Sequence, residues 1–248
     1  MRSTLWLLLA LAPAVSCTRR PAERAAVRVA AASDLALVFE ELRGPFEQQS
    51  GLKLDFIFGS SGQLSRQIAE GAPYDLFASA SRDFTTAPIA AGNCDGASVA
   101  NYAEGRLVIL SPKEPLHSIE ELKDPRFVKI AIANPEHAPY GRAAKEALIG
   151  AGIWGDVEKR IVFAQSIQQA VQFASSGNAE AALVARSLAK DSLAVDPSLY
   201  SPLVQALVVC TRGKNAEGGR AFARYLISDE GQKLFLRAGF APPQGHAR

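Results

Sequence analysis

Residues 58–80 read FGSSGQLSRQIAEGAPYDLFASA, and this stretch predicts a strand, a helix and a second strand in succession. The apolar run Leu52–Phe58 is typical of a β-strand, helical spacing follows over Leu64–Ala69, and Leu76–Ala78 is again an apolar, strand-like run. Only glycine and serine occupy the junction at residues 59–62. Because glycine allows close approach of the backbone and serine carries a hydroxyl donor, this junction is a candidate binding loop.

The same alternation of strand and helix patterns continues along the chain. Further predicted strands are Val27–Ala31, Leu107–Leu110, Val128–Ala133, Arg160–Phe163, Ala181–Ala185 and Leu203–Cys210. One long amphipathic helix is predicted after the last strand, with its apolar side formed by Ala221, Phe222, Tyr225, Leu226, Leu234 and Phe235. Strands that alternate with helices indicate an α/β fold with mostly parallel sheets and helices on both faces.

The amino-terminal residues are typical of an export signal. Arg2 precedes Leu5–Val15, an uncharged apolar run of 11 residues. A permanent membrane anchor needs about 20 apolar residues, so residues 1–17 are interpreted as a signal peptide and the mature chain is expected in the periplasm. Cys17 stands where a lipoprotein signal places its modified cysteine, and lipidation and ordinary cleavage both remain open. The formal net charge of +2 provides no basic surplus that would favour nucleic acid.

Two further cysteines and the histidines give no sign of a metal site. Cys94 and Cys210 could pair in an oxidising compartment, but they lie 116 positions apart, and the expectation is that they stay unpaired. The three histidines are scattered, and the chain contains no CxxC motif. No metal or other cofactor is therefore predicted.

Four strand-to-helix junctions share one chemistry, because each supplies small residues, hydroxyls or free backbone at a helix start. They are residues 32–34 (ASD), 59–62 (GSSG), 138–141 (APYG) and 165–167 (QSI). First-turn N–H groups have no intrahelical partner and carry partial positive charge, so several such ends around one point would bind an oxyanion without arginine. The alternative for each junction alone is an ordinary N-cap.

Four segments together resemble a known family: AASDLALVFEEL, FGSSGQLSRQIAEGAPYDLFASA, IANPEHAPYGRAAKEAL and AQSIQQAVQFASSGNAEAAL. In this order they are similar to the motifs of periplasmic molybdate-binding proteins that serve ABC importers, and the similarity covers nearly all of Val27–Phe240. The resemblance implies a two-lobed type II periplasmic binding protein fold with a ligand cleft between the lobes. Lobe 1 would comprise residues 26–110 and 204–248, and lobe 2 residues 111–203.

The resemblance also implies a ligand set and a task. The implied oxyanion ligands are Ser33, Asp34, Ser61, Tyr140 and Ile167, supported by Ser60, Gly62, Pro139 and Ser166. The implied task is capture of molybdate, and of tungstate, by a monomer that delivers the ion to a membrane permease without catalysis. The alternative is another tetrahedral oxyanion such as phosphate or sulfate.

Two departures from the family pattern affect the expected site. Ala185 stands where some members have a tyrosine, and Tyr140 is expected to compensate for that lost donor. A carboxylate at Asp34 would repel a dianion, so its side chain is expected to cap its own helix and face away. The alternative is that Asp34 accepts a hydrogen bond from a protonated oxyanion such as hydrogen phosphate.

Three charged or ionisable residues beside the loops and one serine motif are given ordinary interpretations. His137 is read as a polar loop residue, and Arg66 and Arg142 as parts of solvated helix faces. The GSSG loop is not a GxSxG nucleophile motif, because Gln63 occupies the position of the final glycine. A hydrolase is therefore not expected.

Overall fold

Two five-stranded sheets form the framework of the computed structural model, which describes residues 26–243. The predicted signal peptide and Cys17 lie outside the described residues. The strands are β1 (Val27–Ala32), β2 (Leu54–Gly59), β3 (Leu76–Ser79), β4 (Ala100–Gly105), β5 (Leu107–Leu110), β6 (Ile130–Ala133), β7 (Ile161–Ala164), β8 (Ala181–Ala185), β9 (Leu193–Ala194) and β10 (Leu203–Val209). Their order is β2-β1-β3-β10-β4 in the first sheet and β7-β6-β8-β5-β9 in the second.

Both sheets are mixed rather than mostly parallel. In the first sheet β1 is parallel to β2 and β3, whereas β10 is antiparallel to β3 and β4. In the second sheet β6 is parallel to β7 and β8, whereas β5 is antiparallel to β8 and β9. The α/β class is as predicted. Every antiparallel pair contains β5 or β10. These are the first strands after the two points where the chain crosses from one sheet to the other, and no crossover α-helix lies at either point.

The first crossing is a single residue, Arg106, between β4 and β5. Strand β5 pairs with β8 and β9, so it belongs to the second sheet, although the predicted boundary at residue 110 assigned it to lobe 1. Strand β4 was absent from the prediction, because its sequence ANYAEG lacks an apolar run. Below, lobe 1 means the first sheet with its helices, and lobe 2 means the second sheet with its helices.

Helices pack on both lobes and begin close to strand ends. They are α1 (Ala36–Ser50), α2 (Ser61–Ala69), α3 (Thr86–Ala90), α4 (Pro139–Gly150), α5 (Trp154–Val157), α6 (Ile167–Ser175), α7 (Ala216–Ile227) and α8 (Asp229–Ala238). Among the described residues, none of these helices is long and apolar enough to cross a membrane.

The single long helix predicted near the carboxyl terminus is wrong, since α7 ends at Ile227 and α8 begins at Asp229. Ser228 separates them and caps α8, where its hydroxyl accepts a hydrogen bond from the N–H of Gly231. The break lets both helices cover the same core. The rings of Phe222 on α7 and Phe235 on α8 both pack against Phe39, at 5.5 and 6.5 Å between centroids.

Cys94 and Cys210 form a disulfide, which overturns the expectation that they stay unpaired. Strand β10 runs antiparallel to β3, and at its end Cys210 forms an isolated β-bridge with Cys94. Their Cα atoms are 3.8 Å apart although 116 positions separate them in sequence. The separation along the sequence misled the prediction, because the chain passes through all of lobe 2 before β10 rejoins lobe 1 beside Cys94.

Candidate functional site

A small cavity lies between the lobes, where strand ends of the first sheet face two helix N-termini of lobe 2. It is lined by Ala32, Ser33, Asp34, Gly59, Ser60, Ser61, Ala80, Ala138, Pro139, Tyr140 and Ile167. The structure therefore brings together all of the residues that the family pattern marks as oxyanion ligands. The free volume is about 10 Å³, roughly what one water molecule needs. A larger tetrahedral ion requires the lining to move outward, which a position between two lobes allows.

Ser61 supplies lobe 1 with a hydroxyl directed by its surroundings. It is 1% exposed, it begins α2, and its Oγ accepts a hydrogen bond from the N–H of Ala80 at 3.0 Å. Because that lone pair is used, the hydroxyl proton remains available to donate to a ligand. The N–H of Ser61 also has no intrahelical acceptor, since it lies in the first turn.

Ser33 and Asp34 lie on a second lobe 1 element, a single 3₁₀ turn at Ser33–Leu35 that follows β1. Ser33 is 3% exposed and lines the cavity. A turn at the end of a parallel strand exposes backbone N–H groups at the edge of the sheet where ligands bind in open α/β folds.

Lobe 2 contributes the first turns of α4 and α6. Helix α4 begins with Pro139, which has no N–H of its own and favours the helix start, so Tyr140 presents the first N–H. Ile167 begins α6, and Ser166 caps that helix by accepting from the N–H of Gln169 at 3.2 Å. Ser166 thus supports the helix end and does not line the cavity. Each helix N-terminus carries about half a positive elementary charge.

The Asp34 side chain is buried in a polar network below the cavity. It is 0% exposed, and its Oδ2 accepts a hydrogen bond from Nε2 of Gln205 at 2.5 Å. The same Nε2 lies 3.3 Å from the hydroxyl of Tyr140, and Oε1 of Gln205 accepts from the hydroxyl of Tyr102 at 2.7 Å. Oδ1 of Asp34 has no hydrogen-bond partner.

The predicted capping role of Asp34 is wrong. The residue at the cap position is Ala32, and no side chain makes a capping hydrogen bond there. The carboxylate instead turns inward to Gln205, a residue on β10 that the motifs did not mark. Burial raises the pKa of Asp34 to about 6, and hydrogen bonds from Gln205 and Tyr140 offset part of that effect.

Tyr140 was expected to replace the hydroxyl donor that is missing at Ala185, but its hydroxyl bonds within the protein. Ala185 is fully buried, and the hydroxyl of Tyr140 lies in the network around Gln205. Burial and the nearby Asp34 carboxylate raise the pKa of Tyr140 well above its usual value, so the hydroxyl stays protonated. The hydroxyl is already engaged with Gln205, so the group of Tyr140 that is free to donate to a ligand is its backbone N–H.

Contacts across the mouth of the cavity join the lobes and were not predicted. Oγ of Ser60 lies 2.9 Å from Nδ1 of His137, and the N–H of Gly62 donates to the carbonyl oxygen of His137 at 2.9 Å. Nε2 of Gln63 donates to Oε1 of Gln165 at 3.1 Å. Ser60 and Gly62 thus hold the lobes together, and Gly62 does not line the cavity. Burial lowers the pKa of His137, which favours its neutral form.

Cations do not line the cavity, since none of its lining residues is Lys, Arg or His. The guanidinium of Arg142 stacks on the ring of Phe84 at 5.3 Å from the centroid and lies 3.8 Å from the carboxylate of Asp83. The site can therefore neutralise an anion only with amide and hydroxyl hydrogens and helix N-termini.

This fold and site define a class of protein: a two-lobed binding protein with a small cavity between its lobes that no cationic side chain lines. Residues 27–241 match the family model of bacterial extracellular solute-binding proteins. The chain belongs to that family, whose members bind solutes and are not enzymes, and it works outside the cytoplasm.

Curated relatives and a solved structure agree with this membership. The chain is 32% identical over 230 residues to molybdate-binding protein ModA of Azotobacter vinelandii, covering 88% of this chain and 91% of that protein. Its identity to the Rhodobacter capsulatus protein of the same name is 30% over 227 residues, with 89% and 90% covered. The structure of the Azotobacter vinelandii periplasmic molybdate-binding protein superposes with a TM-score of 0.82 at 29% identity, covering 88% of this chain and 100% of that one.

Proposed function

We propose that this protein captures molybdate, and also tungstate, between its lobes and delivers the ion to the membrane permease of an ABC importer. The observation that carries the proposal is the convergence of three helix N-termini and one 3₁₀ turn on a cavity without any cation. Molybdate at neutral pH is a dianion that offers only acceptors. The names of the relatives support the choice of this oxyanion.

The donors are sufficient for tight binding. A hydrogen bond to a charged group contributes about 1.5–3 kcal/mol, so six such bonds supply on the order of 10–20 kcal/mol before the costs of ordering and closure. Micromolar affinity needs about 8 kcal/mol. Selection between molybdate and sulfate depends on size, because both ions carry two charges and four acceptor oxygens. Tungstate, nearly the same size as molybdate, is expected to bind about equally well.

Isothermal titration calorimetry of the mature chain with molybdate, tungstate, sulfate and phosphate tests the proposal. We expect micromolar or tighter binding of the first two ions and weaker binding of the others. Displacement of molybdate by an equal concentration of sulfate would contradict the proposed specificity, and the absence of heat with molybdate would contradict the function.

A serine substitution tests the geometry. Ser61→Ala removes one charge-assisted hydrogen bond, and we expect the Kd for molybdate to rise by about 10–100-fold, equivalent to roughly 1.5–3 kcal/mol. The matched control is Ser175→Ala at the exposed far end of α6, which should leave the Kd unchanged. Equal affinity of both variants would remove Ser61 from the ligand set.

One observation favours a second candidate, a protonated oxyanion such as hydrogen phosphate. Oδ1 of Asp34 is a buried acceptor without a partner, and a ligand with its own O–H group could donate to it. Phosphate that binds more tightly than molybdate in the same titration would select this alternative.

We also infer that residues 1–17 direct export to the periplasm and that the mature protein acts as a monomer. Cys17 is the position at which lipidation would tether the chain to the membrane. Fractionation of cells that express the wild type and Cys17→Ala tests the tether. A lipidated protein sediments with membranes and the variant does not, whereas identical soluble fractions would indicate ordinary cleavage.

A further inference from the structure

Asp34 is the only carboxylate among the residues that line the cavity, and its environment is unusual. The residue is 0% exposed. Within residues 26–243, its Oδ1 is the one buried side-chain polar atom without a hydrogen-bond partner. Its backbone lies in the 3₁₀ turn that borders the cavity, so a bound anion would sit close to this carboxylate.

Groups that face Asp34 from neighbouring elements do not balance its charge. Tyr102 on β4 and Tyr140 on α4 surround the network, and both hydroxyls have a pKa raised well above the usual value by burial and by the carboxylate. On the same strand as Tyr102, Glu104 is paired with Arg106. Ser187 donates to the backbone carbonyl of Asp34, not to its carboxylate.

The other elements beside Asp34 also bring no cation to its carboxylate. Arg186, which precedes Ser187, is exposed, and the residues of α6 are uncharged. On α1, Glu40 and Glu47 pair with Arg43, and on β2 Asp55 pairs with Arg28. A dianion that enters the cavity therefore meets an uncompensated negative charge, unless that charge is removed.

We propose that oxyanion binding at this site is coupled to the uptake of one proton from solvent onto Oδ1 of Asp34. This inference rests on the proposed function, since it concerns the same ligand. The proton forms an O–H bond on the carboxylate, which becomes a neutral acid, and the closed complex then carries the two charges of the ligand instead of three. Because Oδ1 accepts no hydrogen bond, one of its lone pairs is available to bind the proton.

The coupling predicts the direction of the pH dependence. The pKa of Asp34 without ligand is about 6, so the carboxylate is mainly ionised at pH 7–8. A nearby dianion raises the pKa further, because like charges disfavour ionisation. The protonated protein therefore binds the ligand more tightly. The affinity should be nearly constant below pH 6 and should fall by up to tenfold for each pH unit above it.

Calorimetry in two buffers measures the proton directly. Molybdate is titrated into the full mature chain at pH 7.5 in HEPES and in Tris, whose ionisation enthalpies differ. Uptake of a proton by the complex makes the observed enthalpy depend on the buffer, and we expect close to one proton per bound molybdate. Over pH 7–8 the Kd should rise by up to tenfold.

Two variants identify the proton acceptor. Asp34→Asn should bind molybdate without proton uptake and with a Kd that is constant over pH 7–8. His137→Gln should retain the uptake, although His137 is also ionisable and lies near the cavity. Circular dichroism establishes that each variant is folded. If Asp34→Asn does not fold, the wild type and His137→Gln still decide the question.

The outcomes separate this inference from the proposed function. Binding with a buffer-independent enthalpy overturns proton coupling but leaves molybdate binding intact. Uptake that disappears in His137→Gln assigns the proton to the histidine and also overturns the inference. The absence of any molybdate heat in the wild type overturns the proposed function itself.

Discussion

Asp34 is the residue whose environment differs most from what its position in the sequence suggests. An aspartate at a helix start usually caps that helix. Here it is buried against Gln205, a residue 171 positions away. The consequence is a carboxyl group whose ionisation opposes folding, because the charged form loses its hydration without gaining a cation.

The effect of Asp34 on stability should depend on pH. Its pKa is raised from 3.8 in the unfolded chain to about 6 in the folded protein. The folded state therefore holds its proton more tightly, and the free energy of unfolding falls as pH rises from about 4 to about 6. Across that window the wild type should lose roughly 3 kcal/mol relative to Asp34→Asn.

Urea denaturation of both apoproteins at pH 4, 5, 6 and 7 measures this difference. Comparison with the variant cancels the titration of all other groups. A difference between the two proteins that stays constant from pH 4 to pH 7 would show that the Asp34 carboxyl has an ordinary pKa.

Among the helices and loops, the contact between the start of α2 and the loop before α4 joins the lobes. Gly62 donates its N–H to the carbonyl of His137, and a Cβ atom at Gly62 would lie 2.8–2.9 Å from backbone and side-chain atoms of His137. Only glycine allows this approach, since real Cβ atoms do not come so near to backbone.

Gly62→Ala should therefore hinder closure of the lobes. We expect molybdate to bind at least tenfold more weakly, mainly through faster dissociation, while the stability of the fold changes little. Stopped-flow dissociation and calorimetry measure the two quantities. The matched control is Gly155→Ala in α5, where a Cβ meets nothing within 4 Å.

The control should behave in the opposite way. Alanine within a helix is favoured over glycine by up to about 0.5–1 kcal/mol, so Gly155→Ala should slightly raise the free energy of unfolding and leave the Kd unchanged. If Gly62→Ala binds molybdate as tightly as the control does, the contact with His137 has no part in closure.

For the molecule as a whole, the disulfide encloses a large part of the chain. Cys94 and Cys210 are 116 positions apart, and all five strands of lobe 2 lie between them. A cross-link that closes so long a loop restricts the unfolded chain strongly, and native disulfides typically stabilise by about 2–4 kcal/mol.

The double substitution Cys94→Ser and Cys210→Ser should lower the free energy of unfolding by that amount. Because neither cysteine lines the cavity, the Kd for molybdate should change little. Urea denaturation of the wild type with and without reductant, beside the double variant, provides the measurement. Identical midpoints for the oxidised and reduced wild type would contradict a stabilising disulfide.

Local residue patterns were sufficient for the α/β class, most of the strands, and the serines, glycines and helix starts that surround the cavity. Apolar spacing and the chemistry of helix N-termini act over a few residues, so they can be read without the fold. The family resemblance added the two-lobed architecture and the choice of oxyanion, and the match to solute-binding proteins confirmed that membership.

Tertiary structure alone decided the partner of Asp34, the pairing of Cys94 with Cys210, the contact of Gly62 with His137 and the antiparallel strands beside Arg106. Each of these features joins segments that are distant along the chain or depends on where the chain crosses between sheets. Their energies come from burial, hydrogen bonding and close approach after folding, and no local pattern of residues records which distant atoms will meet.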